Sequence, residues 1–228
     1  VILAGGKGLR LSEKTKNIPK PLVEISNIPI IEHIIKYFNK HNFQDFYLLL
    51  GYKSNLFKNY FINYYYNNSD IRIDLSNNSM ELENTKKLNC KLTLIDSGLN
   101  TMTGGRINYF KKYLGDDKEF FVTYSDALTD LNINKFVDDH ISRNSQNSLV
   151  LSKLKARFGK ADTDPNKRMI KGFHEKNDKL ESLINSGYYI FNKEIFDYID
   201  GDSCVLESDI LPKFAKNNSL SYFEHIGY

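Results

Sequence analysis

Three things are scarce in this sequence: cysteine, long apolar runs, and blocks of one charge sign. Cys90 and Cys204 are the only cysteines and lie far apart. A disulfide scaffold uses more cysteines in a shorter chain, so a reduced, cytoplasmic protein is expected. No apolar run approaches the roughly 20 residues that cross a bilayer, and the first residues lack a signal peptide's pattern, so no membrane association is expected. The formal net charge is only +3 with both signs interspersed. That balance leaves no basic footprint for nucleic acid. His33, His41, His140, His174 and His225 show neither metal-ligand spacing nor a nucleophile beside them, and read as surface or structural residues. An initiator methionine is lacking too. Val1 begins inside a strand-like run, so both ends are expected to belong to a longer polypeptide.

What is present suits a globular protein. The 228 residues are 41% hydrophobic and 26% charged, ordinary usage for a chain able to bury a sizeable core. Val1 to Ala4 reads as a strand ending in a glycine-rich loop. Ile30, Ile31, Ile34, Ile35 and Phe38 recur at helical spacing, which predicts a helix from about Pro29 to His41. A buried strand, Phe46 to Leu50, is followed by a helix that Ser54 can cap, with Leu56, Phe57, Tyr60, Phe61 and Tyr64 on one face. Two strand–helix units in succession imply a parallel sheet. From Tyr65 to Asn89 the pattern changes to alternation at Ile71, Ile73 and Leu75, broken by Asn and Ser. This stretch, about 64–89, reads as an insertion in a single domain covering 1–228. The β/α rhythm then resumes with strand Lys91 to Ile95, helix Thr103 to Leu114, strand Glu119 to Tyr124 and helix Asn132 to Ser142. Strands near Ser148 to Lys155, Ile170 to His174 and Gly187 to Phe191 precede a helix around Glu207 to Lys216. The fold class is α/β with a mostly parallel sheet.

Three segments carry chemistry. Gly5-Gly6-Lys7-Gly8 after a strand lets backbone N–H groups form a nest for phosphate oxygens. Arg10 adds a positive fork, and Pro19-Lys20-Pro21 a rigid lysine. The loop is neither a Walker loop nor a complete dinucleotide fingerprint, which argues against an NAD-dependent dehydrogenase. Asp126 follows the strand ending at Tyr124, at the carboxyl edge where ligands bind in open α/β sheets. A single carboxylate with substrate phosphates is a usual way to hold Mg²⁺. A helix cap or turn is the plainer role for such an aspartate, and Asp130 suits it equally. Glu175, Lys176 and Asn185 offer a charge for a second phosphate and partners for sugar hydroxyls. Alone they read as a solvated pair and a turn.

Gly5 to Arg10 with Pro19-Lys20-Pro21 resembles the signature of nucleotide-sugar pyrophosphorylases. More narrowly, Asp96-Ser97-Gly98, Met102-Thr103-Gly104-Gly105-Arg106 and Thr123-Tyr124-Ser125-Asp126 are similar to the glucose-1-phosphate cytidylyltransferases. Phe158-Gly159, Glu175-Lys176 and Asn185-Ser186-Gly187 continue the likeness in order, over nearly the whole chain. The resemblance implies a Rossmann-like mixed sheet flanked by helices, a homo-oligomer, and Mg²⁺ as cofactor. It also implies CDP-glucose formation from CTP and glucose 1-phosphate, feeding bacterial surface polysaccharide. Leu9 stands where that family has Thr, Ser125-Asp126-Ala127 replaces Gly-Asp-Gly, and Asn177 replaces Pro. The family's second metal aspartate follows a motif like Ile226-Gly227-Tyr228, where this sequence stops.

The implied roles fit the chemistry. A sugar phosphate is already anionic, so catalysis needs alignment and charge neutralisation more than a base. Leu3, Ala4, Gly5, Gly6, Gly8 and Arg10 would hold the nucleotide, with Thr103, Gly104 and Arg106 on its far side. Thr103 can also cap the helix it opens. Lys20 would stand by the reacting phosphates and Asp126 would carry the metal. Tyr124, Glu175, Lys176 and Asn185 would hold the sugar phosphate. The alternatives are another phosphorylated acceptor or nucleotide, and a catalytically silent regulatory subunit. A silent relative is free to lose Arg10, Lys20, Asp126 and Lys176, and all four are present.

Overall fold

Alternation along the strands sorts the apolar residues onto two faces. In the computed structural model, residues 1–8, 17–85, 87–154, 160–164, 169–174 and 182–227 are described. In β1 (Ile2–Ala4), Ile2 and Ala4 enter one core while Leu3 enters the other. The short strands β2 (Glu24–Ile25) and β3 (Ile28–Pro29) form a hairpin leading into α1 (Ile30–Lys40). In β4 (Asp45–Leu50), Phe46, Leu48 and Leu50 join the first core and Leu49 the second. A run that reads as continuously apolar is thus a strand buried on both faces.

These strands belong to a seven-stranded sheet ordered β13-β9-β12-β8-β1-β4-β7, which includes β7 (Lys91–Asp96) and β8 (Glu119–Tyr124). It also includes β9 (Asn147–Leu154), β12 (Ser182–Asn192) and β13 (Leu220–His225). β12 runs antiparallel to both β8 and β9, and the other pairings are parallel. The fold is therefore an α/β, Rossmann-like mixed sheet, as expected. β10 (Lys160–Asp164) and β11 (Met169–His174) pair separately as an antiparallel hairpin. β1 pairs with β4 on one side and β8 on the other. The strand order reverses between them, and a crevice opens there at the carboxyl ends.

The five apolar residues read from the α1 spacing are all buried. Each contributes about 1.5–3 kcal/mol by leaving water. Glu32 is buried among them, held by Lys36 Nζ at 2.6 Å and by the Tyr60 and Tyr64 hydroxyls. Burial pushes its pKa up, but those three donors more than offset it and hold the carboxyl below its ordinary value. The tyrosines thereby tie α2 (Ser54–Ile62) and α3 (Tyr64–Asn67) to α1. Ser54 does not cap α2: Lys53 precedes it in the left-handed region, and the Ser54 hydroxyl donates to Asp96 Oδ2 at 3.2 Å. Of the expected α2 face, only Phe57 is buried within the helix.

After α3, the stretch 64–89 holds a hairpin of β5 (Asp70–Asp74) and β6 (Ser79–Glu83). Ile71 faces Leu82 and Ile73 faces Met80, so one side of the ribbon is apolar, and all four side chains are exposed. α4 (Thr103–Asn108) stops short of the expected Leu114, and a separate 3₁₀ turn covers Lys111–Tyr113. α5 (Ile133–Ser142) starts as read, with Asn132 Oδ1 accepting from the Lys135 amide. A π-helical turn, Leu206–Ile210, precedes α6 (Leu211–Lys216). Among the described residues, no helix is long and apolar enough to cross a membrane.

Candidate active site

The switch-point crevice holds two joined cavities. The larger, of about 750 Å³, is lined by Lys7, Tyr124, Asn185 and Glu207, among others. The smaller, of about 240 Å³, is lined by Leu3, Gly5, Gly6, Thr101, Thr103 and Arg106, among others. Gly8, Lys20, Tyr124 and Asp126 line both, and so mark the junction.

Asp126 and Lys20 meet at that junction, with Nζ and Oδ2 2.6 Å apart. They lie 106 positions apart in sequence. β8 carries Asp126 to the sheet edge beside the end of β1, and the amide of Ser125 donates to the carbonyl of Leu3 at 3.3 Å. Lys20 opens a 3₁₀ turn, Lys20–Leu22, whose Leu22 amide donates to the Pro19 carbonyl, so the proline-flanked segment is short and stiff. Both side chains stay partly open to solvent.

Arg106 has a different place. Its residue is 5% exposed, and its guanidinium donates to the carbonyls of Leu50, Gly98 and Gly5 and to Ser97 Oγ, at 2.7–3.2 Å. It therefore ties the β4 end, the loop after β7 and the glycine loop together, with little left to offer a nucleotide. Burial lowers its pKa from the ordinary arginine value, opposed by Asp96 and Asp202. Gly5 is glycine for this reason: a Cβ there would lie 2.1 Å from the Arg106 Cζ and Nη1 atoms. Gly6, by contrast, has nothing within 4 Å of where its Cβ would be. That open side is where a ligand can approach the loop amides.

The other expected residues divide the same way. Ala4 and Gly104 line neither cavity; a Cβ on Gly104 would meet Cys204 Sγ at 2.9 Å. Its glycine serves the packing of α4 against the 202–204 loop. Thr103 does not cap α4: its hydroxyl accepts from the Leu206 amide and donates to Glu207 Oε2 instead. Asn185 lines the larger cavity, its amide fixed by Tyr189 Oη at 2.6 Å and by the Gly187 amide at 3.0 Å. Arg10, Glu175 and Lys176 lie outside the described residues, as do Leu9, Asn177, Phe158 and Gly159. Sequence reasoning passed over Lys7, Thr101 and Glu207; only their neighbourhood to the glycine and Met-Thr-Gly-Gly-Arg segments hints at them.

Among the described residues, no three His, Cys, Asp or Glu side chains gather as a metal cluster. A Mg²⁺ site of the substrate-bridging kind does not need one. It takes one or two carboxylates and completes its shell with phosphate and water oxygens. Asp126, partly exposed between two cavities, fits that donor set.

Comparison with known proteins gives the family. A family model described as nucleotidyl transferase matches residues 1–224. The chain is 37% identical over 228 residues to the glucose-1-phosphate cytidylyltransferase of Salmonella typhi, covering 100% of this chain and 88% of that one. HddC from Yersinia pseudotuberculosis is similar in structure, with a TM-score of 0.71 and 27% identity over 100% of this chain and 90% of that one. Its structure complexed with GMP-PN gives 0.69 and 28% at the same coverage. The chain belongs to the nucleotidyl transferase family, on the branch of the glucose-1-phosphate cytidylyltransferases.

Proposed function

We propose that this enzyme joins CTP to a sugar 1-phosphate, α-D-glucose 1-phosphate first, giving a CDP-sugar and pyrophosphate. The observation that carries the reading is the Lys20–Asp126 pair at the one place where the two cavities meet. The smaller cavity takes the nucleotide and the larger takes the sugar phosphate. A phosphate oxygen of the acceptor attacks the α-phosphorus, and the bond to the β-phosphate oxygen breaks. Lys20 neutralises charge beside the bond that forms, while the loop amides and Arg10 hold the departing phosphates. Asp126 would hold Mg²⁺, which would supply charge stabilisation of the phosphate oxygens. Lys176 holds the acceptor's phosphate, with Glu175 and Asn185 on the sugar. A seven-stranded sheet that joins strands from β1 through β13, with β5 and β6 paired apart from it, supports reading the chain as one domain with the 64–89 insertion. Cys90 and Cys204 are free thiols, which suits a cytoplasmic enzyme.

The test is pyrophosphate release across four nucleoside triphosphates and a panel of sugar 1-phosphates. CTP should exceed UTP by about tenfold or more, because cytosine and uracil reverse donor and acceptor at two ring positions. A buried group left unpaired costs about 1–3 kcal/mol. Equal kcat/KM for CTP and UTP would reduce the enzyme to an unselective nucleotidyltransferase.

The enzyme assembles as a homo-oligomer in this reading, with the apolar side of the β5–β6 ribbon at the contact. An isolated hairpin is marginal by itself, and Ile71, Ile73, Met80 and Leu82 are exposed on one side of it. Ile73→Asp should shift the mass measured by light scattering toward the monomer. A wild-type chain that is already monomeric at micromolar concentration sinks this part.

A further inference from the structure

The larger cavity has an acidic residue on its wall that phosphate binding does not require. Glu207 lies in the π-helical turn Leu206–Ile210 and lines this cavity with Lys7, Lys20, Asp126 and Asn185. The turn is a single widened one at the mouth of a cleft, a place where such turns recur at functional sites. Thr103 Oγ1 donates to Glu207 Oε2 at 3.0 Å and accepts from the Leu206 amide at 2.9 Å. One hydroxyl thus fixes both the carboxylate and the peptide beside it. Among the described residues no lysine or arginine pairs with Glu207, unlike Asp126, which has Lys20.

An ionised carboxylate only accepts hydrogen bonds, and it repels phosphate. The cavity therefore offers both kinds of polar partner, with Lys7 and Lys20 suited to phosphate oxygens and Glu207 suited to O–H donors. Asn185 is partly committed already, to Tyr189 and Gly187, which leaves Glu207 the stronger acceptor on this wall. Ribose hydroxyls have the same chemistry as those of a pyranose. Glu207, however, lines the cavity of Asn185 and not the one formed with Gly5, Gly6 and Thr101.

We propose that Glu207 is a specificity-determining residue whose carboxylate accepts a hydrogen bond from a ring hydroxyl of the acceptor sugar. The proposal rests on the sugar-phosphate reading above and names the feature of the acceptor that the site selects. An acid near the start of α6 also favours that helix. That role alone would change stability and leave the hydroxyl preference untouched.

The experiment measures kcat/KM by pyrophosphate release for wild type, Glu207→Gln and Glu207→Ala. The substrates are glucose 1-phosphate and its singly deoxygenated analogues, and CTP against its 2′-deoxy and 3′-deoxy forms. In the wild type, one deoxy sugar should be worse than the parent by about tenfold or more, as for a lost hydrogen bond to a charged group. Glu207→Ala should bring the parent down to that analogue's level and leave the analogue unchanged, with the CTP preference intact. Equal losses for every sugar, or a lost preference at the ribose instead, overturns the proposal. If the wild type releases no pyrophosphate with any pair, the transferase reading falls. Calorimetric binding of glucose 1-phosphate and its deoxy analogues to the same three proteins then still decides Glu207.

Discussion

Asp126→Asn should lower kcat by about 100-fold or more while leaving the fold intact. The amide keeps the shape of the carboxylate but removes the charge that would hold Mg²⁺ in the proposed reaction, a contribution of several kcal/mol at about 1.4 kcal/mol per decade of rate. Stability should hardly change. The Lys20–Asp126 pair is short, yet its side chains are 30% and 40% exposed, and such partly exposed pairs contribute about 0–1 kcal/mol. Thermal melting and a Mg²⁺ titration of turnover separate the two effects. Wild-type rates at limiting Mg²⁺ would assign Asp126 to the fold alone.

Arg106→Ala should do the reverse, costing stability first and activity as a consequence. The guanidinium is buried and bonded to three carbonyls and the Ser97 hydroxyl within 3.2 Å. Removing it takes the donor from the Gly98 carbonyl and one donor each from Leu50 and Gly5, whose carbonyls keep the amides of Ser97 and Tyr52, and it opens a closed space, at about 1–3 kcal/mol for each group left unpaired where water cannot reach. A total near 3 kcal/mol would lower Tm by about 6–12 °C in a chain of this size. The glycine loop would also lose one of its ties to the β4 end, the Tyr52 amide to the Gly5 carbonyl remaining, so kcat/KM for the nucleotide should fall along with Tm. Arg106→Lys should recover only part of the loss, because an ammonium cannot span the carbonyls as the planar fork does. An alanine variant with unchanged Tm and a raised KM for CTP would instead make Arg106 a direct nucleotide ligand, the role first expected for it.

These two residues show what was legible in the residues and what was not. Asp126 follows a strongly apolar strand, so its position at the carboxyl edge came directly from period and order. Arg106 sits in a segment that resembles a nucleotide-binding motif, and no local pattern shows that its side chain turns inward to three separate loops. Thr103 is similar: a hydroxyl at a helix start reads as a cap, but the nearby Leu206 amide and Glu207 take it. β13 escaped notice because Leu220 to His225 mixes polar and apolar residues without a clear period. It forms because β9 offers a parallel edge, with Ser148 and Ser221 hydroxyls 2.7 Å apart across the pair. The 64–89 stretch reads as short strands and loops; β5 and β6 are there with the alternation of Ile71 and Ile73 intact, and the helical turn Tyr64–Asn67, which carries no such alternation, is not legible in it.

The sequence by itself determined the order of β1, α1, β4 and β8, the glycine loop, and Asp126 at a strand end. Those features depend on local periodicity and on backbone freedom at neighbouring positions, which a linear pattern records. Only the tertiary structure decided that Lys20 meets Asp126, that Arg106 braces the loop from below, and that Glu207 reaches the larger cavity. Each of those contacts joins segments that are distant along the chain: 106 positions for Lys20 and Asp126, 104 for Thr103 and Glu207, 101 for Arg106 and Gly5. Which distant polar groups pair is settled by the burial of the apolar faces between them, and by the cost of leaving any such group without a partner.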